Sequence, residues 1–496
     1  MVKRQREDIT KKTNGKGFEP RGERARKINA STIYDTCSEQ ITPFGGILGL
    51  IKFLDLVQFK EIFENIYITP RRKVLLGNYH MVLGVLMLLF IGFNRLWHFT
   101  YIRLDAIICG FFQLRRLPAA STFWRYVDSL GINQGKSFLK IMSVLRERVW
   151  QLCGLSYAMI HLSTDTTVET LYGHQQGGRK GHNTKNRGKK GYRPVLCFID
   201  ETREYLLGKL RKGETIGGEE VAQFIKEIKS HLPGCVKKVL FRGDGEFFSW
   251  EGVSACIGEG FDYIIANKRA NPPFDSKAWY KPKKRKPYEY NSCVYTPIGW
   301  KLPCRFVAMR IPKKVKTPSK EPMQYELFED DRYTYRIFCT SLKGQPHKVI
   351  SEYDKRADVE NLVGESKREG LEAIPSAKFK TNYAYFQIVM LAYNIWRYFK
   401  MLAEISNEDE GIDSPVSGYA SLRGLKGNQI RIARLKLLLI GAKVVYHSTD
   451  RVKYSIMDSR TPGLIHFLKY LDKARLKVRP WGGGGLWTCR FSLNTV

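Results

Sequence analysis

Two aspartates that close apolar runs, with a hairpin and a helix between them, constrain the fold of this chain more than any other feature. The run AMIHLSTDTT alternates partially and reads as a central strand ending near Asp165. Val239, Leu240 and Phe241 make a second short buried strand that ends on Asp244, flanked by Gly243 and Gly245. Glycines on either side let the backbone turn sharply and a bulky ligand come close. Between the two acids lie the strand candidates RPVLCFID and EYLLGKL, joined by a tight turn over Asp200–Arg203, and then the helix GGEEVAQFIKEIKSHL. Further along, SEYDKRADVENLVGESKREG lacks proline, is rich in helix formers and ends at Gly370, so it reads as one helix.

On that helix Tyr353, Arg356, Glu360 and Lys367 share a stripe. At about 100° per residue their offsets fall within an arc of roughly 60°. Asp358, Glu365 and Glu369 point elsewhere, and Glu365 is the alternate third acid. One acid flanked by two cations and a phenol suits a metal ligand beside a phosphate backbone. A solvated helix with ordinary ion pairs has the same composition. Asp200 and Glu246 read as turn and rim groups. A strand with Asp, a hairpin, a third strand, a helix, a strand with Asp and a later helix with Glu is the order expected of an α/β, ribonuclease-H-like fold.

The ordered set resembles the DDE (Asp-Asp-Glu) transposases of bacterial insertion sequences, in the branch whose signature runs Tyr-x2-Arg-x3-Glu-x6-Lys; Tyr353, Arg356, Glu360 and Lys367 match it at every spacing. Within the branch the chain is most similar to insertion-sequence family 1380, through YGHQQGGRKGHNTKNRGKKGYRPVL, RGDGEFFS and LPAASTFWRYVDSL. Gly245 departs from the Ser expected after the second Asp. The resemblance implies catalysis by Asp165, Asp244 and Glu360, holding two Mg²⁺ ions that Mn²⁺ could replace, with Asp165 bridging. Hard carboxylate ligands suit such ions, and a pair about 3.5–4 Å apart activates the attacking oxygen and relieves charge on the leaving one. It implies hydrolysis at the terminal inverted repeats, then strand transfer into target DNA by the freed 3′-hydroxyls, in a homodimer that pairs two ends. Arg356 and Lys367 would grip phosphates and Tyr353 would position the strand. The expected location is the bacterial cytoplasm, at the nucleoid.

Charge supports a polyanionic partner independently. Lys and Arg number 82 against 48 Asp and Glu, a formal net charge of +34. Residues 172–193 hold seven of these cations and no acid, directly after Asp165, so Arg179, Lys180, His182, Asn183, Lys185, Lys189 and Lys190 are candidate DNA contacts. Trp250, Trp279 and Trp300 are candidates either for core packing or for stacking on an unpaired base. The ten cysteines show no C-x-x-C pair or zinc-ligand spacing. The apolar run at residues 81–93 is too short to span a bilayer and reads as a buried helix, so no membrane partner is expected. The first thirty residues are charged and show no secretory h-region.

The chain divides into a basic tail (1–30), a helical N-terminal DNA-binding or dimerisation domain (31–156), the first part of the catalytic core (157–270), a β-rich insertion (271–344), the second part of the core with the Glu helix (345–445), and a C-terminal segment (446–496). In the N-terminal domain LPAASTFWRYVDSL places Ser121 as an N-cap in a helix-turn-helix-like arrangement, a pattern plain helical bundles share. Two rival functions fit the same fold: a stand-alone metal-dependent nuclease, and a non-catalytic DNA-binding protein.

Overall fold

The two candidate aspartates sit at strand ends of an eight-stranded mixed sheet. The computed structural model describes residues 28–69, 76–181, 186–282, 287–313, 333–408, 422–446, 452–456 and 461–478. Most of the basic tail, together with His182, Asn183 and Lys185, lies outside the described residues. The chain up to Gln40 forms one unit and Ile41–Val496 a second, and the account below concerns the second.

The strands are β1 (Met159–Thr166), β2 (Val195–Ile199), β3 (Glu204–Lys209), β4 (Lys238–Gly243), β5 (Asp262–Ala266), β6 (Glu289–Tyr295), β7 (Cys304–Pro312) and β8 (Tyr333–Thr340), in the spatial order β6-β7-β8-β5-β4-β1-β2-β3. β1, β2 and β3 form an antiparallel meander, whose second turn is closed by Arg203 at a φ of 58°. β1, β4 and β5 run parallel. Parallel neighbours need a crossover of a dozen or more residues. The helices Gly218–Lys229 and Trp250–Glu259 supply the two crossovers into β4 and β5.

The β-rich segment expected to be an insertion forms β6, β7 and β8, but these strands extend the main sheet. β8 pairs with β5 through Phe338↔Ala266 to Thr340↔Ile264. β5 would otherwise be an exposed edge, and pairing satisfies its backbone.

Eleven consecutive residues of helix α1 (Asn78–Ile91), Met81 to Ile91, are buried, so the apolar run is a core helix. Among the described residues no single helix is long and apolar enough to cross a membrane. In α2 (Ala120–Asp128) the N-cap is Ala119, with no side-chain cap; Ser121 lies two residues past it, inside the first turn. α3 (Ile132–Leu152) and the long apolar helix α4 (Phe379–Glu408) cover β3. Asn394 of α4 accepts from the Tyr205 N–H at 2.8 Å and donates to its carbonyl at 2.7 Å, closing that edge of the sheet.

Candidate active site

Asp165 and Asp244 are brought together by strand register. The parallel β1–β4 ladder ends at Ser163↔Arg242. Two residues beyond that pair are Asp165, still within β1, and Asp244, just past the end of β4, and neighbouring strands lie about 4.8 Å apart. Burial pushes the Asp165 carboxyl up to about 6; Arg356 opposes the rise, while Asp244 and Glu360 add to it. Burial likewise raises Asp244, with Arg356 again opposing. The third acid therefore lies within the field of the first.

Glu360 comes from the segment read as one helix. It is helical throughout, but α5 (Pro346–Asp354) and α6 (Asp358–Ser366) are joined by a 3₁₀ turn over Lys355–Ala357. A 3₁₀ turn advances about 120° per residue rather than about 100°. The extra rotation leaves Tyr353 and Arg356 buried and brings Glu360 to the solvent edge of the stripe. Glu360 has no hydrogen-bond or ion-pair partner among the described residues, whereas the alternate acid Glu365 is buried, ion-paired to Arg397, and accepts from the Ile430 N–H at 2.6 Å. Glu365 therefore ties the helix to its neighbours and faces away from the other two acids.

The other members of the stripe are engaged within the protein. Tyr353 is buried against Phe338, with ring centroids 4.4 Å apart. The buried Arg356 donates to the Thr164 carbonyl at 3.1 and 2.8 Å and to Asp165 Oδ1 at 2.7 Å. Lys367 donates to the Val168 carbonyl at 2.8 Å. All three are thus packed or bonded within the protein: a helical wheel fixes which residues share a face, and this face meets the sheet. Their bonds pin the end of β1 to the Glu360 helix.

The basic segment folds as a small three-stranded sheet of Glu169–Thr170, Arg179–Lys180 and Lys190–Tyr192. Lys180 lies directly opposite Lys190, and both are exposed. Like charges in that position repel unless an anion lies over them. Lys189 is exposed as well, and Arg179 pairs with Glu214 at 2.5 Å. Trp250 and Trp300 pack on each other at 5.7 Å, and the Arg310 guanidinium covers Trp279 at 4.3 Å, so these three rings are engaged.

A profile described as transposase DDE domain, group 1, matches residues 27–460 of this chain. The chain belongs to that family. Such transposase domains cleave DNA and depend generally on divalent metal. The chain is similar, at 12% identity, to the piggyBac transposase in a synaptic complex with hairpin DNA; the match covers 90% of this chain and 89% of that chain, with a TM-score of 0.39. The chain matches no curated protein.

Among the described residues no group of three acidic, histidine or cysteine side chains is gathered tightly enough to hold one ion. The donor set nonetheless fits the metal of a DDE transposase. Two desolvated carboxylates close neighbouring strands, with a third in the field of Asp165, all hard oxygen donors whose repulsion a divalent cation would relieve. Sequence reasoning missed two groups at this site. Glu246, read as a rim group, accepts from Thr166 Oγ1 at 3.2 Å and is ion-paired to Arg193, which anchors the basic sheet beside Asp244. Lys268, just past β5, acts electrostatically on Asp244. The D-G-E spacing and a cation two residues beyond a strand end were the available signals.

Proposed function

We propose that this transposase cuts DNA at the ends of a mobile element and joins the freed 3′-hydroxyls to target DNA. The observation that carries this reading is the placement of Asp165 beside Asp244 at the ends of adjacent parallel strands, with Glu360 in the same field. Strand order β3-β2-β1-β4-β5, with the first three antiparallel, supports a ribonuclease-H-like core. The Tyr353–Lys367 spacing supports the insertion-sequence branch most similar to family 1380, and with it a bacterial, nucleoid-associated protein.

Asp165, Asp244 and Glu360 would hold two Mg²⁺ ions, which supply nucleophile activation and relief of leaving-group charge. Arg356 keeps the Asp165 carboxylate aimed and the β1 terminus fixed. Lys367 holds Val168, so the chain leaving β1 enters the basic sheet at a set angle. Lys180, Lys189 and Lys190, with Arg179, present charge to the DNA backbone. A homodimer would pair two ends.

The test is strand transfer. Purified protein, Mg²⁺ and a duplex ending in the element's inverted repeat, pre-cut to expose the 3′-hydroxyl, should yield covalent joints in a target plasmid. Cutting without joining would leave a stand-alone nuclease, and neither reaction would leave a DNA-binding protein on this fold.

A further inference from the structure

The two cations expected to grip the scissile phosphate, Arg356 and Lys367, are occupied by the protein's own backbone and by Asp165. A phosphate approaching Asp244 needs a different partner. The β4–β5 ladder pairs Gly243 with Ile265, so the residues following both strands emerge side by side. After β5, Asn267 shapes the chain: its N–H donates to the Ile337 carbonyl at 2.8 Å, its Oδ1 accepts from the Ala270 N–H at 3.0 Å, and its Nδ2 donates to the Ala270 carbonyl at 2.7 Å. Lys268 sits within this turn, exposed, with no hydrogen bond or ion pair among the described residues.

The Lys268 stem lies over Gly245. A Cβ at Gly245 would meet Lys268 Cβ at 3.2 Å and its Cγ and Cδ at 3.6 Å. The glycine that departs from the expected Ser is therefore the residue across which this lysine passes on its way to Asp244. We propose that Lys268 binds the DNA phosphate beside the scissile bond on the Asp244 side, and that Gly245 clears its path. This rests on the catalytic reading of Asp165, Asp244 and Glu360. Lys268 serves better here than as a bare counter-ion. A lysine that only balanced Asp244 would be bonded to it, whereas this ammonium stands free at the rim of the site with three donors for phosphate oxygens.

Two measurements on the full chain test the assignment. In the first, lysines are acetylated in EDTA with and without an arbitrary 30-base-pair duplex (a length of roughly 3.4 Å per base pair that spans the site) and read by mass spectrometry. DNA should slow acetylation of Lys268 several-fold while leaving Lys229, which pairs with Glu259, unchanged. Equal labelling of Lys268 with and without DNA would overturn the proposal. In the second, nicking of supercoiled plasmid is followed at saturating DNA and Mg²⁺. K268A should lower the rate on the order of 10²-fold, as loss of one preorganised donor does. K268R should recover most of that loss, and the Mg²⁺ midpoint should stay put. G245S should be slow in the wild-type background and add nothing to K268A, since both act on one contact. Wild-type nicking by K268A would also overturn the proposal. If the wild type and D244N nick alike, the catalytic reading fails, and the acetylation result alone decides whether Lys268 contacts DNA.

Discussion

Glu204 and Asp165 are both carboxylates in the main sheet, and they are treated in opposite ways. Glu204, on β3, is fully buried and receives donors from Arg146 Nε at 3.0 Å, Trp150 Nε1 at 2.7 Å, Thr202 Oγ1 at 2.8 Å and the Tyr398 hydroxyl at 2.5 Å. It locks α3, β3 and α4 together. Asp165 has one cation, Arg356, and Asp244 has one backbone donor, the Glu246 N–H at 2.9 Å. Glu204 is fully buried and the two aspartates half-buried, and the bonding differs more sharply still. A carboxylate whose lone pairs are all used is scaffold, while a pair left short of donors, half-buried at the ends of two central strands, is set up to receive a cation.

The largest effect that can break this contrast is on activity. Asp165→Asn, Asp244→Asn and Glu360→Gln should each reduce plasmid nicking on the order of 10³-fold or more, because the several kcal/mol of metal-derived stabilisation is lost. Their melting temperatures should stay close to wild type. Glu204→Gln should invert the pattern. It leaves Arg146 buried without its charge partner, so stability should fall by about 3–5 kcal/mol in denaturant titrations, with nicking per folded molecule retained. Comparable melting losses in both sets would erase the distinction between site and scaffold.

Arg356→Lys sharpens the comparison. It keeps the charge but loses the fork that holds Thr164 and Asp165 together, so the rate should drop about 10- to 100-fold and the Mg²⁺ midpoint should rise, with duplex affinity unchanged. A drop in affinity at constant midpoint would return Arg356 to the DNA surface.

The smallest effect concerns Glu169, a buried acid between the two classes. Both its carboxylate oxygens are buried without a hydrogen-bond partner, and burial pushes it up to about 8 against the pull of Lys367. A carboxyl raised in the folded state stabilises fully below its ordinary range, and that contribution is lost as pH climbs towards about 8. Glu169→Gln, always neutral, should match wild type near pH 4 and exceed it by a margin that widens as pH rises towards about 8. A constant difference across that range would show that folding does not raise the Glu169 carboxyl.

Much of this contrast was readable in the sequence. Asp165 and Asp244 announced themselves by closing apolar strands, and the Asp200–Arg203 turn and the crossover helix fixed their order along the chain. Local pattern could not reveal where β6, β7 and β8 go, because pairing of β8 with β5 joins residues such as Phe338 and Ala266 across a long stretch of chain. It also could not say which side of the Glu360 helix meets the sheet, so the bonds of Arg356 to Thr164 and Asp165 and of Lys367 to Val168 could not be foreseen. The 3₁₀ turn at Lys355–Ala357, which decides the exposure of Glu360, has no proline or glycine to mark it. Glu246 and Lys268 look like surface charges until the register of β4 and β5 sets them beside Asp244.

The central claim is that three carboxylates far apart in sequence share one metal centre. Iron-directed cleavage tests it most directly: Fe²⁺ with ascorbate and peroxide generates hydroxyl radicals at a bound ion and cuts the nearby backbone. The account predicts cuts grouped around residues 165, 244 and 360, suppressed by excess Mg²⁺ and lost together in Asp244→Asn. Cuts confined to one of those segments, or persisting in Asp244→Asn, would contradict it.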